Sequence, residues 1–275
     1  VQAPCRHYKS CGGCQLQHAS DDYVADWKVD VVRNALRAQG LEAEFRPIHT
    51  SPPRSRRRAT LTVRRTKKGA MAGFHGRASD VITPIPDCPL LDPAIIKAIP
   101  LTEALAIAGA SRKTPLSVTL TTSEVGLDVM VRDGKPLDSA LRAELAGIAG
   151  QNGVARLTWE DEQVAMEQPP VQAFGAARVC PPPGAFLQAT KDGEAALLAA
   201  VQEITGGAKR IVDLFAGCGT FALPLAKDAE VHAVEGERAM IAALDAGWRQ
   251  AQGLKKVTSE VRDLFRNPLL PEDLN

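Results

Sequence analysis

The 275-residue chain has no apolar run approaching the roughly 20 residues that cross a bilayer. It also lacks a basic-then-apolar leader and opens Val-Gln-Ala-Pro-Cys. A membrane anchor and a secretory route are not expected, and a cytoplasmic location is. There is no initiating Met; the first residue is Val1, so the start reads as trimmed. The skewed composition of a disordered tail, a collagen or a fibrous repeat is absent too. Apolar residues make up 45% and charged residues 24%, ordinary for a soluble globular protein. No internal repeat is visible, and low-complexity sequence is confined to Pro181-Pro182-Pro183-Gly184. The five His residues show no metal-site spacing. Net charge is +1, so the average says nothing about partners. The length allows one large or two modest domains.

The informative absence is local. From Arg46 to Arg77 there is no Asp or Glu, against ten basic residues: Arg46, Arg54, Arg56, Arg57, Arg58, Arg64, Arg65, Lys67, Lys68 and Arg77. The remainder carries 23 basic and 32 acidic residues. A basic strip on an otherwise acidic protein is the electrostatic footprint of a polyanion binder, although a solvated basic hairpin gives the same run.

Cysteines are clustered. Three of the six form C-x5-C-G-G-C at Cys5, Cys11 and Cys14. A two-residue gap lets two thiolates face one metal centre, and Gly12 and Gly13 let the backbone wrap closely. Three ligands need a fourth, and Cys88, held in Pro-Asp-Cys-Pro, is the natural candidate. In a reduced compartment such cysteines read as metal ligands rather than disulfides. Structural zinc and an iron–sulfur cluster both accept four thiolates. Zinc sites usually come as two close pairs, so three clustered cysteines and one remote one favour the cluster. The spacing differs from the C-x3-C-x2-C of radical-type clusters. Cys180 and Cys218 read as buried thiols.

Along the chain, 21–39 reads as a helix capped by Asp21 or Asp22, with Val24, Trp27, Val31, Ala35 and Leu36 near one face. Residues 58–63 and 70–74 suit the strands of a hairpin turning at 66–69, so the basic side chains decorate it. Helical composition covers 92–107; strands follow at 116–121 and 126–131, a helix at 137–148 and a strand at 155–159. This mixture predicts an α+β domain over 1–172, with the 21–39 helix expected against the next domain. From 173 the order sharpens: helix 192–204, strand 210–214, glycine loop 217–219, helix from 221, strand 230–234, helix 237–252 and strand 256–261. This β-α-β-α-β order is a nucleotide-binding half of a doubly wound sheet.

In Val212-Asp213-Leu214-Phe215-Ala216-Gly217-Cys218-Gly219-Thr220-Phe221-Ala222, Gly217 and Gly219 let backbone approach a ligand at the strand's carboxyl end. Glu235, 16 residues past Gly219, can accept from both ribose hydroxyls. Asp263, closing the third strand, is placed for an adenine amino group. The loop also satisfies a loose dinucleotide fingerprint, but Asp213 directly before it suits a cationic ligand better than a pyrophosphate. S-adenosylmethionine is favoured over NAD.

These residues together carry a resemblance. C-x5-C-G-G-C-x-x-Gln with the remote Cys88, Arg56-Arg57-Arg58 ahead of a hairpin, Phe186-Leu187-Gln188, and Asp-Leu-Phe-Ala-Gly-Cys-Gly resemble the RNA uracil-5-methyltransferases, over essentially the whole chain. The pattern is most similar to the iron–sulfur branch that makes 5-methyluridine in large-subunit ribosomal RNA. The resemblance implies an α/β fold, a Rossmann-type S-adenosylmethionine-dependent methyltransferase domain over 173–275 with only its first three strands present, preceded by the α+β domain. It implies a [4Fe–4S] cluster on Cys5, Cys11, Cys14 and Cys88. Gln188, Phe215, Gly217, Gly219, Thr220, Glu235 and Asp263 would line the cofactor site. Phe186 would lie near the target uracil, and Arg54, Arg56, Arg57, Arg58, Arg64, Arg65, Lys67 and Lys68 would contact RNA phosphates. The implied partner is RNA, ribosomal before transfer RNA, for a monomeric enzyme. Thr190 and Thr220 stand where the family commonly has Asn. The family's nucleophilic Cys, its Asp-Pro-Pro-Arg-like loop and its general-base Glu lie beyond Asn275, and the N-terminal barrel of many members would precede Val1. The resemblance therefore implies a partial chain, with no catalytic residue in it. Two rival readings are a non-catalytic RNA-binding module with structural zinc, and an NAD-linked iron–sulfur oxidoreductase.

Overall fold

A computed structural model describes residues 2–274; Val1 and Asn275, the ends to which the partial-chain expectation attaches, lie outside them. The chain builds two hydrophobic cores in sequence. After α1 (Asp21–Ala38), which stands outside it, the first is made by β1 (Arg58–Arg65), β2 (Ala70–His75), β3 (Ile82–Pro84), α2 (Pro93–Lys97), α3 (Ile99–Gly109), β4 (Leu116–Thr122), β5 (Leu127–Arg132), α4 (Ser139–Gln151), β6 (Val154–Trp159) and β7 (Glu162–Met166). The strands form one sheet in the order β3-β2-β1-β4-β5-β6-β7. All neighbours are antiparallel except β5 and β6, which run parallel across the α4 crossover.

Period-two alternation explains which face is covered. Ala59, Leu61 and Val63 of β1 are buried, as are Leu116, Val118 and Leu120 of β4, and Leu61 pairs with Val118 across the ladder. Leu101 and Leu105 of α3 and Leu141 and Leu145 of α4 close the same face. Trp159 fills a slot cut for it. A Cβ at Gly109 or Gly134 would sit 2.3 or 2.2 Å from its indole, and Nε1–H donates to the Lys135 carbonyl at 2.9 Å.

The second core begins with the hairpin β8 (Gln172–Phe174) and β9 (Ala177–Val179), followed by α5 (Lys191–Ile204), β10 (Arg210–Leu214), α6 (Ala222–Leu225), β11 (Glu230–Glu235), α7 (Arg238–Gln250) and β12 (Val257–Val261). β10, β11 and β12 are parallel in that order, the arrangement expected for the nucleotide-binding half. Among the described residues no strand pairs the outer edge of β10, where Val212 and Leu214 are exposed.

Three expectations need correction. The helix expected over 92–107 is two helices. Pro100 offers no N–H to the Ile96 carbonyl, and its ring crowds that turn, so the chain restarts at Ile99. The cap of α1 is Ser20, whose side chain accepts from the Tyr23 N–H. Finally, α1 has no buried residue, so it is not the element that joins the cores. The segment after it does so: Arg46 pairs with Glu203, and His49 lies 2.7 Å from Asp192, both on α5.

Candidate cofactor site, cysteine cavity and basic surface

The carboxyl ends of the parallel strands converge on the glycine loop. Gly217 and Gly219 both have left-handed backbones, φ 58° and 94°. A Cβ on Gly219 would meet Leu223 at 2.7 Å. Phe215 shares the left-handed region at φ 57° without being glycine, a strain that tends to sit at functional positions. Its exposed ring lies 5.3 Å from that of Phe265, itself 88% exposed. Glu235 is held by two backbone donors, the N–H of Gly217 and that of Glu237, each at 3.0 Å. Each carboxylate oxygen keeps a lone pair, so the ribose role is geometrically open. Asp263 is more committed: its Oδ1 accepts from the N–H groups of Phe265 and Arg266.

Asp213 sits beneath this loop. Burial pushes its carboxyl up to about 6; a hydrogen bond from the Ala222 backbone opposes this and the Glu235 carboxylate adds to it. Its Oδ2 is buried with no hydrogen-bond partner among the described residues. Cys218, between the two glycines, is 1% exposed, and burial pushes its thiol up to about 12, so it is an inert core group, as expected. Cys180 is half-buried beside Arg156, and burial raises its thiol as well.

The Phe186-Leu187-Gln188 segment reaches the loop through Leu187, which packs in the same core as Ala216 and Cys218. Phe186 is 68% exposed. Thr190 caps α5 by accepting from the Gly193 N–H at 2.9 Å, so the replacement of Asn at this position keeps a good capping residue.

Cys5, Cys11, Cys14 and Cys88 all line one cavity of about 360 Å³. The N-terminal loop is docked by several ties. Gly12 N–H donates to the His75 carbonyl at 2.8 Å, where a Cβ would be 2.8 Å from that oxygen. Gly12 is thus required by close approach to β2. Arg77 donates to the Cys14 carbonyl and lies over the Tyr8 ring. Arg6 and His7 both contact Asp87, the neighbour of Cys88, which holds that carboxyl below its usual range. Burial pushes the Cys14 thiol up, a hydrogen bond with Gln17 opposes this, and the Cys88, Cys11 and Cys5 thiols add to it.

All four sulfurs are free. Among the described residues no group of three or more His, Cys, Asp or Glu is drawn together tightly enough to hold a metal ion. Four thiols are a donor set that thiolate-held metal groups use. Arg58 lines the same cavity, and its Nε is buried without a partner. Burial, then Arg56, lowers the proton affinity of that guanidinium. An anionic group in the cavity would relieve both.

The basic strip does not behave as one surface. Lys67 and Lys68 are exposed at the tip of the β1–β2 hairpin, with Arg64 and Arg65 half-buried beside them; Arg54 and Arg56 are exposed at its base. Arg58 is half-buried, donating to the Gly184 carbonyl at 3.0 Å. Arg57 corrects the phosphate-contact expectation. It is 2% exposed, points to the opposite side of the strand, and pairs with Glu194. Arg57 directly precedes β1 and continues the inward parity of buried Ala59 and Leu61, a period-two signal present in the sequence. Phe265 was also missed as a site neighbour; its position two residues past Asp263 was the available clue.

No family profile matches the chain. A protein of Rhizobium meliloti (strain 1021) named as an uncharacterized RNA methyltransferase is 41% identical over 280 residues, covering 100% of this chain and 68% of that protein. The 23S rRNA (uracil(1939)-C(5))-methyltransferase of Halomonas elongata is 33% identical, covering 96% of this chain and 58% of its own length. Among solved structures, the Pyrococcus abyssi tRNA (uracil-54, C5)-methyltransferase in complex with S-adenosyl-L-homocysteine superposes with a TM-score of 0.67 at 21% identity, over 91% of this chain and 64% of that one. That likeness establishes the fold. The chain spans about two thirds of the length of the curated relatives it matches. No described helix is long and apolar enough to cross a membrane.

Proposed function

The chain belongs to the RNA methyltransferases, and from that premise we propose that it serves the transfer of a methyl group from S-adenosylmethionine to C5 of a uridine in RNA, with ribosomal RNA as the target. The observation that carries this reading is the pair of acids around the glycine loop. Asp213 presents a buried oxygen without a partner below the loop, suited to a cationic ligand, and Glu235 is clamped above it by the Gly217 and Glu237 N–H groups. When bound, S-adenosylmethionine supplies an electrophilic methyl on a sulfonium. Glu235 would hold the ribose and Asp263 the adenine amino group, while Gln188, Phe215, Thr220, Gly217 and Gly219 would line the rest of the site. The exposed ring of Phe186 offers a surface for a base taken out of its stack. The fold and the Halomonas relative support uracil C5 as the acceptor; the cysteine pattern supports the ribosomal branch. A cytoplasmic, monomeric protein fits this reading.

Uracil C5 is a poor nucleophile, and a thiolate adding at C6 makes it enolate-like. The resemblance assigns that role to none of the six cysteines here: Cys218 is enclosed with its thiol pushed up to about 12, Cys180 is half-buried beside Arg156 with its thiol raised by burial, and four line the cavity of the first core. This chain's residues contribute cofactor binding, base placement and a grip on the RNA backbone.

Cys5, Cys11, Cys14 and Cys88 would hold a [4Fe–4S] cluster, acting as a staple between the N-terminal loop and the Cys88 turn rather than in redox chemistry. The single remote Cys88 counts against the rival zinc module, since zinc ligands usually come as two close pairs along the chain. Asp213 before the loop counts against NAD. Cys88→Ala is expected to lose bound iron, its visible absorption and the soluble fold; an unchanged visible spectrum overturns the ligand assignment. The activity is tested by incubating the full-length gene product with methyl-labelled S-adenosylmethionine and unmodified ribosomal or transfer RNA, then analysing nucleosides. Label in 5-methyluridine from ribosomal RNA is expected. Label elsewhere on RNA overturns the C5 assignment; label only in transfer RNA overturns the target.

A further inference from the structure

We propose that Arg57 is a positioning residue for the cofactor site, a clasp that fixes the Gly184–Glu194 strap against the glycine loop; this rests on the S-adenosylmethionine reading above. The guanidinium is buried and forked across three acceptors on the second core's side. Nε–H donates to the Gln188 carbonyl at 3.0 Å, Nη2 to Glu194 Oε2 at 2.5 Å and Nη1 to Gln172 Oε1 at 3.5 Å. Only an arginine has the planar fork that serves separate acceptors at once. Gln172 is equally buried and turns its amide N–H to the Thr122 carbonyl at 2.7 Å, so the clasp is anchored in both cores.

Backbone contacts extend the clasp. Arg57 N–H donates to the Ala189 carbonyl, and its own carbonyl accepts from Thr122 N–H, both at 2.9 Å. Arg56 bridges to Thr190 on one side and to Leu91 on the other. Arg58 holds the Gly184 carbonyl, and the Ser51 hydroxyl lies 2.7 Å from that of Thr190. The strap between those points carries Phe186 and Gln188. The strap also reaches the cofactor loop, because Leu187 packs in the same core as Ala216 and Cys218 of the loop. Gln188 therefore takes its position from its carbonyl, held by Arg57, and from Leu187, held in the core. Removing the fork frees the backbone on which the cofactor-lining side chain depends, which costs preorganisation.

The test compares Arg57→Met, Arg57→Lys and Glu194→Gln with the unaltered protein, measuring S-adenosylhomocysteine affinity by calorimetry, the thermal midpoint, and RNA affinity against salt. Arg57→Met is expected to weaken S-adenosylhomocysteine binding by about tenfold or more, with the salt slope of RNA binding unchanged. Arg57→Lys keeps the charge opposite Glu194 but not the fork, so it should recover the thermal midpoint while ligand affinity stays low. A merely structural role predicts that both recover together, and that result overturns the proposal. Folded variants that bind within twofold of the unaltered protein overturn it too, as does a salt slope lower by about one, which marks a phosphate contact. If Arg57→Met does not fold, the Lys and Gln variants decide. An unaltered protein that binds no S-adenosylhomocysteine overturns the cofactor reading itself, and the clasp falls with it.

Discussion

Asp213 ties a buried carboxyl to the pH behaviour of the site. Its folded value of about 6 stands above the ordinary 3.8, so the ligand-free fold keeps a proton that the unfolded chain gives up. The cost of burying the charge is absent below the unfolded value and present in full above about 6, so this group's contribution to stability declines as pH rises through that window. A sulfonium or ammonium ligand favours the ionised form and releases the proton on binding. Affinity for S-adenosylmethionine should therefore climb as pH rises through about 5 to 7 and level off above. Calorimetric titrations across this range should give that climb, and Asp213→Asn should bind weakly and flatly with pH. A pH-independent affinity in the unaltered protein would remove Asp213 from the site. The sequence already placed Asp213 before the loop and favoured a cation there. That Oδ2 lacks a partner was not legible, because it depends on how α6 and β11 close over the strand.

At the scale of elements, the β1–β2 hairpin divides one charge run into two uses. Arg57, just ahead of β1, turns inward with the parity of Ala59 and Leu61, while Lys67 and Lys68, past the strand in the turn, face water. Each phosphate-neutralising cation contributes about 0.7–0.9 to the slope of log affinity against log salt. Replacing Lys67 and Lys68 together by Ala should weaken RNA binding at low salt and reduce the slope by about 1.4–1.8. Filter binding over a salt series reads this, and an unchanged slope would take the hairpin tip out of the RNA surface. The hairpin itself was legible from its alternation and turn. The break between α2 and α3 was signalled by Pro100, yet the apolar composition of 92–107 masked it. Short β7, β8 and β9 carried no signal strong enough to predict, since three to five residues offer too little pattern.

For the molecule as a whole, the two cores are joined by buried charge as well as by chain. Arg156 of β6 pairs with Asp128 of β5 through Nε at 2.9 Å and Nη2 at 2.6 Å, and Nη2 also donates to the Pro181 carbonyl at 2.8 Å. The proline run after β9 is thereby fastened to the first sheet. Asp128→Ala leaves a buried guanidinium unpaired and should destabilise by about 3–5 kcal/mol, whereas removing both charges with apolar replacements should cost much less. Denaturant unfolding of the single and double variants measures the difference; equal losses would show that the pair is not coupled. Together with the Arg57–Glu194 pair, this makes the junction a seam of paired charges, and charge pairs at such a seam fix relative placement more than they add stability.

By itself the sequence determined the parallel order of the second sheet, the glycine loop, the acids at 213 and 235 and the hairpin, because each is a local matter of spacing, periodicity or backbone freedom. Tertiary structure alone decided which charges meet each other. Arg57 and Lys67 are equivalent in a composition count; one ended 2% exposed against Glu194, 137 residues away, and the other in solvent. Cys88 reached the cavity of the N-terminal cysteines for the same reason. Partners so distant along the chain are chosen by how the sheets pack, and packing is a property of the whole fold that no local pattern encodes.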